Sequence, residues 1–321
     1  MSGASSGPAE FHIRPLAHAA TLGVVPELPE VETIRLELEP HVVGRRFERV
    51  EINDSRLARP FEPQAVAAEL EGEIVSAVDR RGKYLIVRFD SGRSLLIHLR
   101  MTGSLRHAKG GGLADDPHQR AVVRLDDGSD VAYRDVRRFG TWLLLEPGEL
   151  EPYLANKVGR EPLERGFNAR HLGERLQNRR APLKAALLDQ RTVAGLGNIY
   201  VDEALWRARL HPLRPAETLD ADEVAQVTRA IKDALRAGIL RQGASLRDYA
   251  TPDGRRGRMQ EEFRVYGREG EPCTRCGTPV DKIRAGGRGT WYCPTCQRLE
   301  PVQAASRSSR RPSRSSRHSS V

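Results

Sequence analysis

The sequence predicts a multidomain α+β protein: an N-terminal helix with a β-sandwich, then a helical domain, then a small C-terminal β-hairpin module. Three observations predict it. Between about residues 45 and 146, short β-rich runs alternate with tight turns. From about 165 to 250 the apolar residues repeat at helical spacing. Near the end, all four cysteines of the chain fall into two Cys-x2-Cys pairs. Long helices do not alternate with the strands, which argues against a doubly wound sheet.

Each element has a local reason. Val31, Ile34 and Leu38 stand at i, i+3 and i+7, one face of a helix, and Pro29 suits its first turn, where no N–H is needed. Residues 83–89, 94–99, 121–125, 130–134 and 141–145 are strand runs, separated by turns such as Asp90-Ser91-Gly92 and Asp126-Asp127-Gly128. Gly110-Gly111-Gly112 with Asp115-Asp116-Pro117 marks a loop. A helix over about 182–189 leads to Gly195-Leu196-Gly197-Asn198, and another follows through Ala204-Leu205-Trp206. Exposed N–H groups at such a turn suit a phosphate, although taken alone the segment reads as an ordinary glycine-capped helix hairpin. Val224, Val227, Ile231, Leu235 and Ile239 form one stripe on a long helix, and Asp220 with Glu223 has capping-box spacing.

With 52 Lys and Arg against 43 Asp and Glu, the net charge is +9, which favours an acidic partner, nucleic acid foremost. No stretch is long and apolar enough to cross a membrane, and residues 15–25 lack the basic flank and sustained apolar run of a signal peptide. From about residue 297 the chain is Arg/Ser-rich, with six arginines against one glutamate and almost nothing apolar to bury. That segment is expected to be disordered, a solubilising tail or a source of salt-sensitive attraction to DNA.

Cys273 and Cys276, then Cys293 and Cys296 after sixteen residues, supply four thiolates in one short segment of an otherwise cysteine-free chain. This fits a reducing cytosol and a closed tetrahedral zinc site, structural rather than catalytic. Gly277, Pro279, Gly286, Gly287 and Gly289 fit turns of a hairpin between the pairs. Arg288 at a glycine-flanked tip could reach a phosphate bidentately, although a lone arginine there is more often merely solvated.

Pro26-Glu27-Leu28-Pro29-Glu30-Val31-Glu32 carries the second sharp signal. A proline at a chain start is a secondary amine, and α-amino groups titrate near ~8, so part of the population is neutral at pH 7 and able to attack carbon. A neighbouring carboxylate can shuttle the protons. Inside a chain the same nitrogen is an inert amide, and the prolines merely bound a helix.

These motifs together resemble bacterial formamidopyrimidine-DNA glycosylases, of the formamidopyrimidine-DNA glycosylase/endonuclease VIII family. The run from Pro26 to Thr33 resembles the family's mature start. In the family's order follow Arg81-Gly82-Lys83-Tyr84-Leu85, His98-Leu99-Arg100-Met101-Thr102-Gly103-Ser104-Leu105-Arg106, Arg137-Arg138-Phe139-Gly140, Gly195-Leu196-Gly197-Asn198-Ile199-Tyr200, Val265-Tyr266-Gly267-Arg268 and the four cysteines. The resemblance covers roughly residues 26–296, and seven ordered motifs are far more specific than any one.

The resemblance implies a domain plan: an extension over 1–25, a catalytic β-sandwich domain over 26–155, a helix–two-turn–helix domain over 156–268, a zinc finger over 269–298 and a basic tail over 299–321. It implies a monomeric bacterial enzyme of the cytoplasm and nucleoid, with one structural zinc ion and damaged double-stranded DNA as partner. Pro26 would attack C1′ of an oxidised or ring-opened purine nucleoside, with Glu27 as general acid/base, followed by β- and δ-elimination. Glu30 matches a supporting acid of the active site. Lys83, Asn198 and Arg288 match phosphate grips. Met101, Arg137 and Phe139 match a wedge that fills the gap when a base is flipped out. Residues 253–260 match a loop over the flipped base, with Arg258 and Met259 where aromatics are common. The Glu-Leu-Pro-Glu start leans to purines, since the branch that prefers oxidised pyrimidines usually has Gly in place of the Leu.

The resemblance also makes Pro26 the expected working N-terminus, with Val25 standing where an initiator codon, GTG, would be read. The alternatives are cleavage after Val25, or a retained extension whose amide-bound proline leaves a DNA-binding protein without catalysis.

Overall fold

Helix α1 (Leu28–Val42) opens with Leu28-Pro29, the proline sitting in the first turn where its missing N–H leaves no bond unmade. This computed structural model describes residues 25–110, 116–246 and 249–299. The extension through residue 24, the middle of the 110–117 loop and the tail beyond 299 lie outside the described residues. Val31, Ile34 and Leu38 of α1 are buried in the sandwich core, whereas Leu28 is buried in the core of the helical domain. One helix therefore belongs to two cores, and its first turn lies at their junction.

The sandwich has two antiparallel four-stranded sheets. In one, β1 (Phe47–Ile52), β6 (Gln119–Leu125), β7 (Ser129–Asp135) and β5 (Gly103–Lys109) lie side by side in that order. In the other the order is β2 (Val75–Arg81), β3 (Tyr84–Phe89), β4 (Ser94–His98) and β8 (Thr141–Leu145). Val50, Val87, Leu95, Ile97, Leu105, Val123 and Trp142 share the core between them.

The structure corrects the sequence reading at two points in this domain. Helix α2 (Pro63–Leu70) interrupts the stretch read as mainly strand; Val66, Ala67 and Leu70 fall on one helical face and are buried. Lys83, read as the first residue of a strand, lies instead in a two-residue turn. Arg81 pairs with Tyr84, and Gly82 takes the left-handed conformation (φ +59°) that reverses the chain.

Helix α3 (Leu150–Ala155) closes the sandwich domain, its Leu150 and Leu154 buried with Ile86, Leu96 and Leu145 of the second sheet, and the helical domain holds α4 (Ala169–Leu176), α5 (Leu183–Leu188), α6 (Asn198–Arg207) and α7 (Ala221–Leu240). The expected capping box begins α7: Glu223 N donates to Asp220 Oδ1 at 2.8 Å, and Asp220 N donates to Glu223 Oε2 at 3.0 Å. Val224, Val227, Ile231 and Leu235 are buried, and Ile239 is partly so. At the end, β9 (Asp281–Ala285) and β10 (Arg288–Tyr292) form a hairpin around Gly286-Gly287, both with positive φ. Gly289, expected in a turn, lies within β10 opposite Arg284. Among the described residues no helix is long and apolar enough to cross a membrane.

Candidate active site

The first turn of α1 meets the first turn of α6. Leu28 N donates to Gly195 O (3.0 Å), and the Glu27 carboxylate accepts Ile199 N (2.8 Å) and, more weakly, Tyr200 N (3.4 Å). Glu27 thus sits where free N–H groups and the helix dipole favour negative charge. The approach requires glycines: a Cβ on Gly197 would stand 2.3 Å from Glu27 Cδ, and one on Gly195 2.6 Å from Leu28 Cβ. Burial still dominates. It raises the Glu27 carboxyl to about 7, opposed by the Lys83 cation and by the two backbone N–H groups, and assisted by Glu30.

Glu30 lies behind Glu27. Its carboxylate accepts the Tyr200 hydroxyl (2.8 Å), Ala244 N (2.8 Å) and Glu27 N (2.9 Å). Burial pushes this carboxyl up as well, against the pull of those donors. Glu30 therefore binds α1 to α6 and to the turn after α7, and fixes the backbone of Glu27. A Cβ on Gly243 would meet the Glu30 side chain at 2.8 Å.

Glu27 opens onto a cleft of about 770 Å³ that also receives Lys83, His98, Met101, Phe139, Asn198 and Arg288. Pro26 is buried between Val25 and Glu27, both of which face that space, while Glu30 and Arg137 lie off its wall. The Lys83 turn is held rigidly. Glu161 accepts Gly82 N (2.5 Å) and pairs with Arg80 (2.8 Å), which also pairs with Glu32 of α1 (2.8 Å). Burial lowers the Lys83 ammonium, Glu27 opposes this and Arg288 adds to it.

His98 had no role assigned from sequence. Its Nδ1 accepts Arg100 N at 3.0 Å, so its free Nε2 carries the proton and can donate. Burial, with Arg100 and Lys83, pulls its pKa down to about 3, so the ring stays neutral.

Met101, half-buried, follows β4; Arg137 and Phe139, both exposed, lie between β7 and β8. One buried carboxylate joins these segments. Asp135 pairs with the Thr102 hydroxyl and accepts Gly140 N (2.8 Å) and Arg137 N (3.2 Å). The Arg137 guanidinium lies 4.9 Å from the Phe139 ring centroid. Arg138 turns away and grips buried Asp54 through two bonds of 2.6 and 2.8 Å.

The sulfurs of Cys273, Cys276, Cys293 and Cys296 lie within 4.8 Å of one another. Zinc–thiolate bonds of roughly 2.3 Å give a tetrahedron with edges of about 3.8 Å, so the cluster fits one zinc ion with no open position. Trp206 Nε1 donates to Cys273 Sγ (3.4 Å), and Gln297 joins Cys293 N to Leu210 O. The finger is locked to the helical domain by a buried pair that the sequence did not disclose. Lys184 Nζ of α5 and Asp202 of α6 stand 2.8 Å apart with no exposure, and Lys184 also donates to Gly289 O and Thr290 Oγ1. Asn198 Nδ2 donates to the same Gly289 carbonyl at 3.1 Å, so the two expected grips, Asn198 and Arg288, share one support.

Comparison with known proteins gives a consistent result. Residues 25–142 match the model of the formamidopyrimidine-DNA glycosylase N-terminal domain, residues 158–250 that of the formamidopyrimidine-DNA glycosylase H2TH domain, and residues 270–299 that of the zinc finger found in FPG and IleRS. A formamidopyrimidine-DNA glycosylase of Symbiobacterium thermophilum is 45% identical over 292 residues, 90% of this chain and 95% of that protein. One from Roseiflexus sp. is 44% identical over 275 residues, 85% of this chain and all of the relative. Among solved structures, a Lactococcus lactis FPG variant in complex with Fapy-dG containing DNA has a TM-score of 0.80 at 38% identity, covering 85% of this chain and 100% of that one. MutM in complex with carbocyclic 8-oxo-G containing DNA gives 0.80 at 39% identity with the same coverage.

Proposed function

The chain belongs to the formamidopyrimidine-DNA glycosylase family, and from that premise we propose that it excises oxidised or ring-opened purines, 8-oxoguanine and formamidopyrimidines, from duplex DNA and then cuts the strand as an AP lyase. The observation that carries this reading is the placement of Glu27: next to Pro26 in the chain, its carboxylate docked on the N–H groups of the first turn of α6, with a carboxyl raised to about 7 at the wall of the cleft. A carboxyl with that pKa can give and take protons at neutral pH. The active chain begins at Pro26. The family match starting at residue 25 supports this, as does the need for a free amine.

In the proposed reaction the Pro26 amine forms a bond to C1′, the damaged base leaves with its electron pair, and the ammonium proton passes to the departing base, which restores the nitrogen lone pair. The nitrogen lone pair then expels O4′, which takes a proton from Glu27, and an iminium remains. That iminium acidifies C2′–H. The Glu27 carboxylate, having given its proton to O4′, takes the C2′ proton as the 3′ phosphate leaves; a second elimination removes the C4′ proton to solvent and expels the 5′ phosphate, and water releases the amine. Glu30 positions Glu27. Lys83, Asn198 and Arg288 hold the backbone phosphates, and Met101, Arg137 and Phe139 fill the gap left by the flipped nucleotide. Residues 26–155 act as the catalytic domain, 156–268 as the helix–two-turn–helix domain and 269–298 as the finger. The protein works as a monomer in the bacterial cytoplasm, on the nucleoid.

Two chains test this, one beginning at Pro26 and one retaining Val25, each incubated with 8-oxoguanine duplex and borohydride. The expected result is a trapped covalent adduct with the first chain only. Equal trapping by both would move the nucleophile elsewhere. Lesion binding without excision by either would leave a DNA-binding protein.

A further inference from the structure

Among the described residues, five other than glycine adopt positive φ: Arg100, Arg138, Asn178, Arg209 and Gln242. Three need no special account. Asn178, Arg209 and Gln242 each follow the C-cap of a helix (α4, α6 and α7), where a left-handed residue ordinarily ends the hydrogen-bond ladder. Arg100 and Arg138 lie between strands, and each flanks residues of the proposed wedge: Arg100 precedes Met101, and Arg138 separates Arg137 from Phe139. Left-handed backbone is costly for a side chain of this size, and such strain persists where the surrounding structure enforces it.

The two arginines differ in what their side chains do. Arg138 is tied through two guanidinium nitrogens, Nε and Nη2, to buried Asp54. Arg100 is exposed, makes no side-chain hydrogen bond or ion pair among the described residues, and lines the cleft beside Met101, His98 and Lys83. Its backbone is fixed, since Arg100 N donates to His98 Nδ1 and Gly103 N closes the turn onto Leu99 O at 3.0 Å. A glycine would hold this turn without strain, so the arginine is there for its side chain.

From the fixed turn and the unpartnered guanidinium we infer that Arg100 is a further DNA-binding residue, gripping a phosphodiester of the strand threaded past Met101. A planar fork suits that anion, and no carboxylate among the described residues forms an ion pair with it. The inference rests on the DNA-glycosylase reading.

The test compares Arg100→Gly and Arg100→Ala with the wild type, all beginning at Pro26, for affinity to a duplex carrying a tetrahydrofuran abasic analogue across a salt series, and for thermal stability. Both variants are expected to bind about tenfold more weakly at low salt, with the slope of log K against log salt smaller by about one contact. Only Arg100→Gly removes the strain, so only it is expected to melt higher, by roughly 2 °C. Unchanged affinity, or weaker binding with an unchanged salt slope, would overturn the inference; the second outcome would mean a base or packing contact. A wild type that fails to prefer the abasic duplex would instead sink the glycosylase reading, which the slopes of the variants leave untouched.

Discussion

Two of the buried carboxyls at the head of helix α6 share a raised pKa but not a setting. Glu27 arrives from α1 and accepts the N–H groups of Ile199 and Tyr200; Asp202 grows from the helix itself. Burial pushes each to about 7. Yet one opens onto the cleft, next to Pro26 in the chain, while the other is enclosed with Lys184 and holds Trp291 N at 3.1 Å. A raised carboxyl pKa reports desolvation, which both sites share. On the proposed reading, what separates a working acid from a structural one is access to the cleft and a free amine next to it in the chain.

The sharpest break of this comparison is Glu27→Gln. Removing a positioned acid/base is expected to slow single-turnover excision by about 10²–10⁴ while the protein stays folded. The same variant carries a pH signature. Because the folded carboxyl titrates near 7 rather than at 4.5, the folded state binds more protons than the unfolded one between those values. Its contribution to stability is therefore fully present below about 4.5 and is lost as pH rises through 7. Glutamine removes that slope, so relative to wild type Glu27→Gln should gain stability between pH 5 and pH 8, by at most about 3 kcal/mol. Urea unfolding at the two pH values measures it, and an identical difference at both would mean that Glu27 is not a desolvated acid.

Asp202→Asn should do the opposite. It leaves the Lys184 ammonium buried without a counter-charge, at a cost of about 3–5 kcal/mol of stability. Excision by the molecules still folded should stay within about tenfold of wild type. A variant that melts like wild type but has lost excision would make Asp202 the working acid and reverse the comparison.

The two carboxyls were not equally legible in the sequence. Glu27 stands out, because Pro-Glu-Leu-Pro-Glu at the head of an amphipathic helix can supply a nucleophile with its acid once the proline nitrogen is free, although inside a chain the same prolines merely bound the helix. The cysteines and the stripe on α7 were legible for similar reasons, since spacing alone sets metal geometry and helical faces. Lys184 and Asp202 stand eighteen positions apart in helices that read as ordinary, and nothing in periodicity places two charges at zero exposure. Lys83 shows the finer limit. A β-rich run starting at residue 83 looks continuous, and only the φ of Gly82 assigns the lysine to a turn whose tip faces the cleft. His98 lies inside one of the family-like motifs, but its tautomer depends on a backbone N–H two residues on.

The smallest expected effect concerns the support of Glu27 rather than Glu27 itself. Tyr200 of α6 reaches Glu30 at 2.8 Å, and Gly238 of α7 makes room for its ring, since a Cβ there would stand 2.5 Å from Tyr200 Cε1. Tyr200→Phe keeps the ring and deletes one of three donors to a buried carboxylate. The expected loss is about 1–2 kcal/mol of stability. If the hydroxyl acts only through Glu30, its deletion in a Glu30→Gln background should cost clearly less than in the wild type, and unfolding of the single and double variants gives that coupling. Equal losses in the two backgrounds would mean that Tyr200 supports the α6–α7 packing directly, and Glu30 would then hold the Glu27 backbone through Ala244 N and its own helix alone.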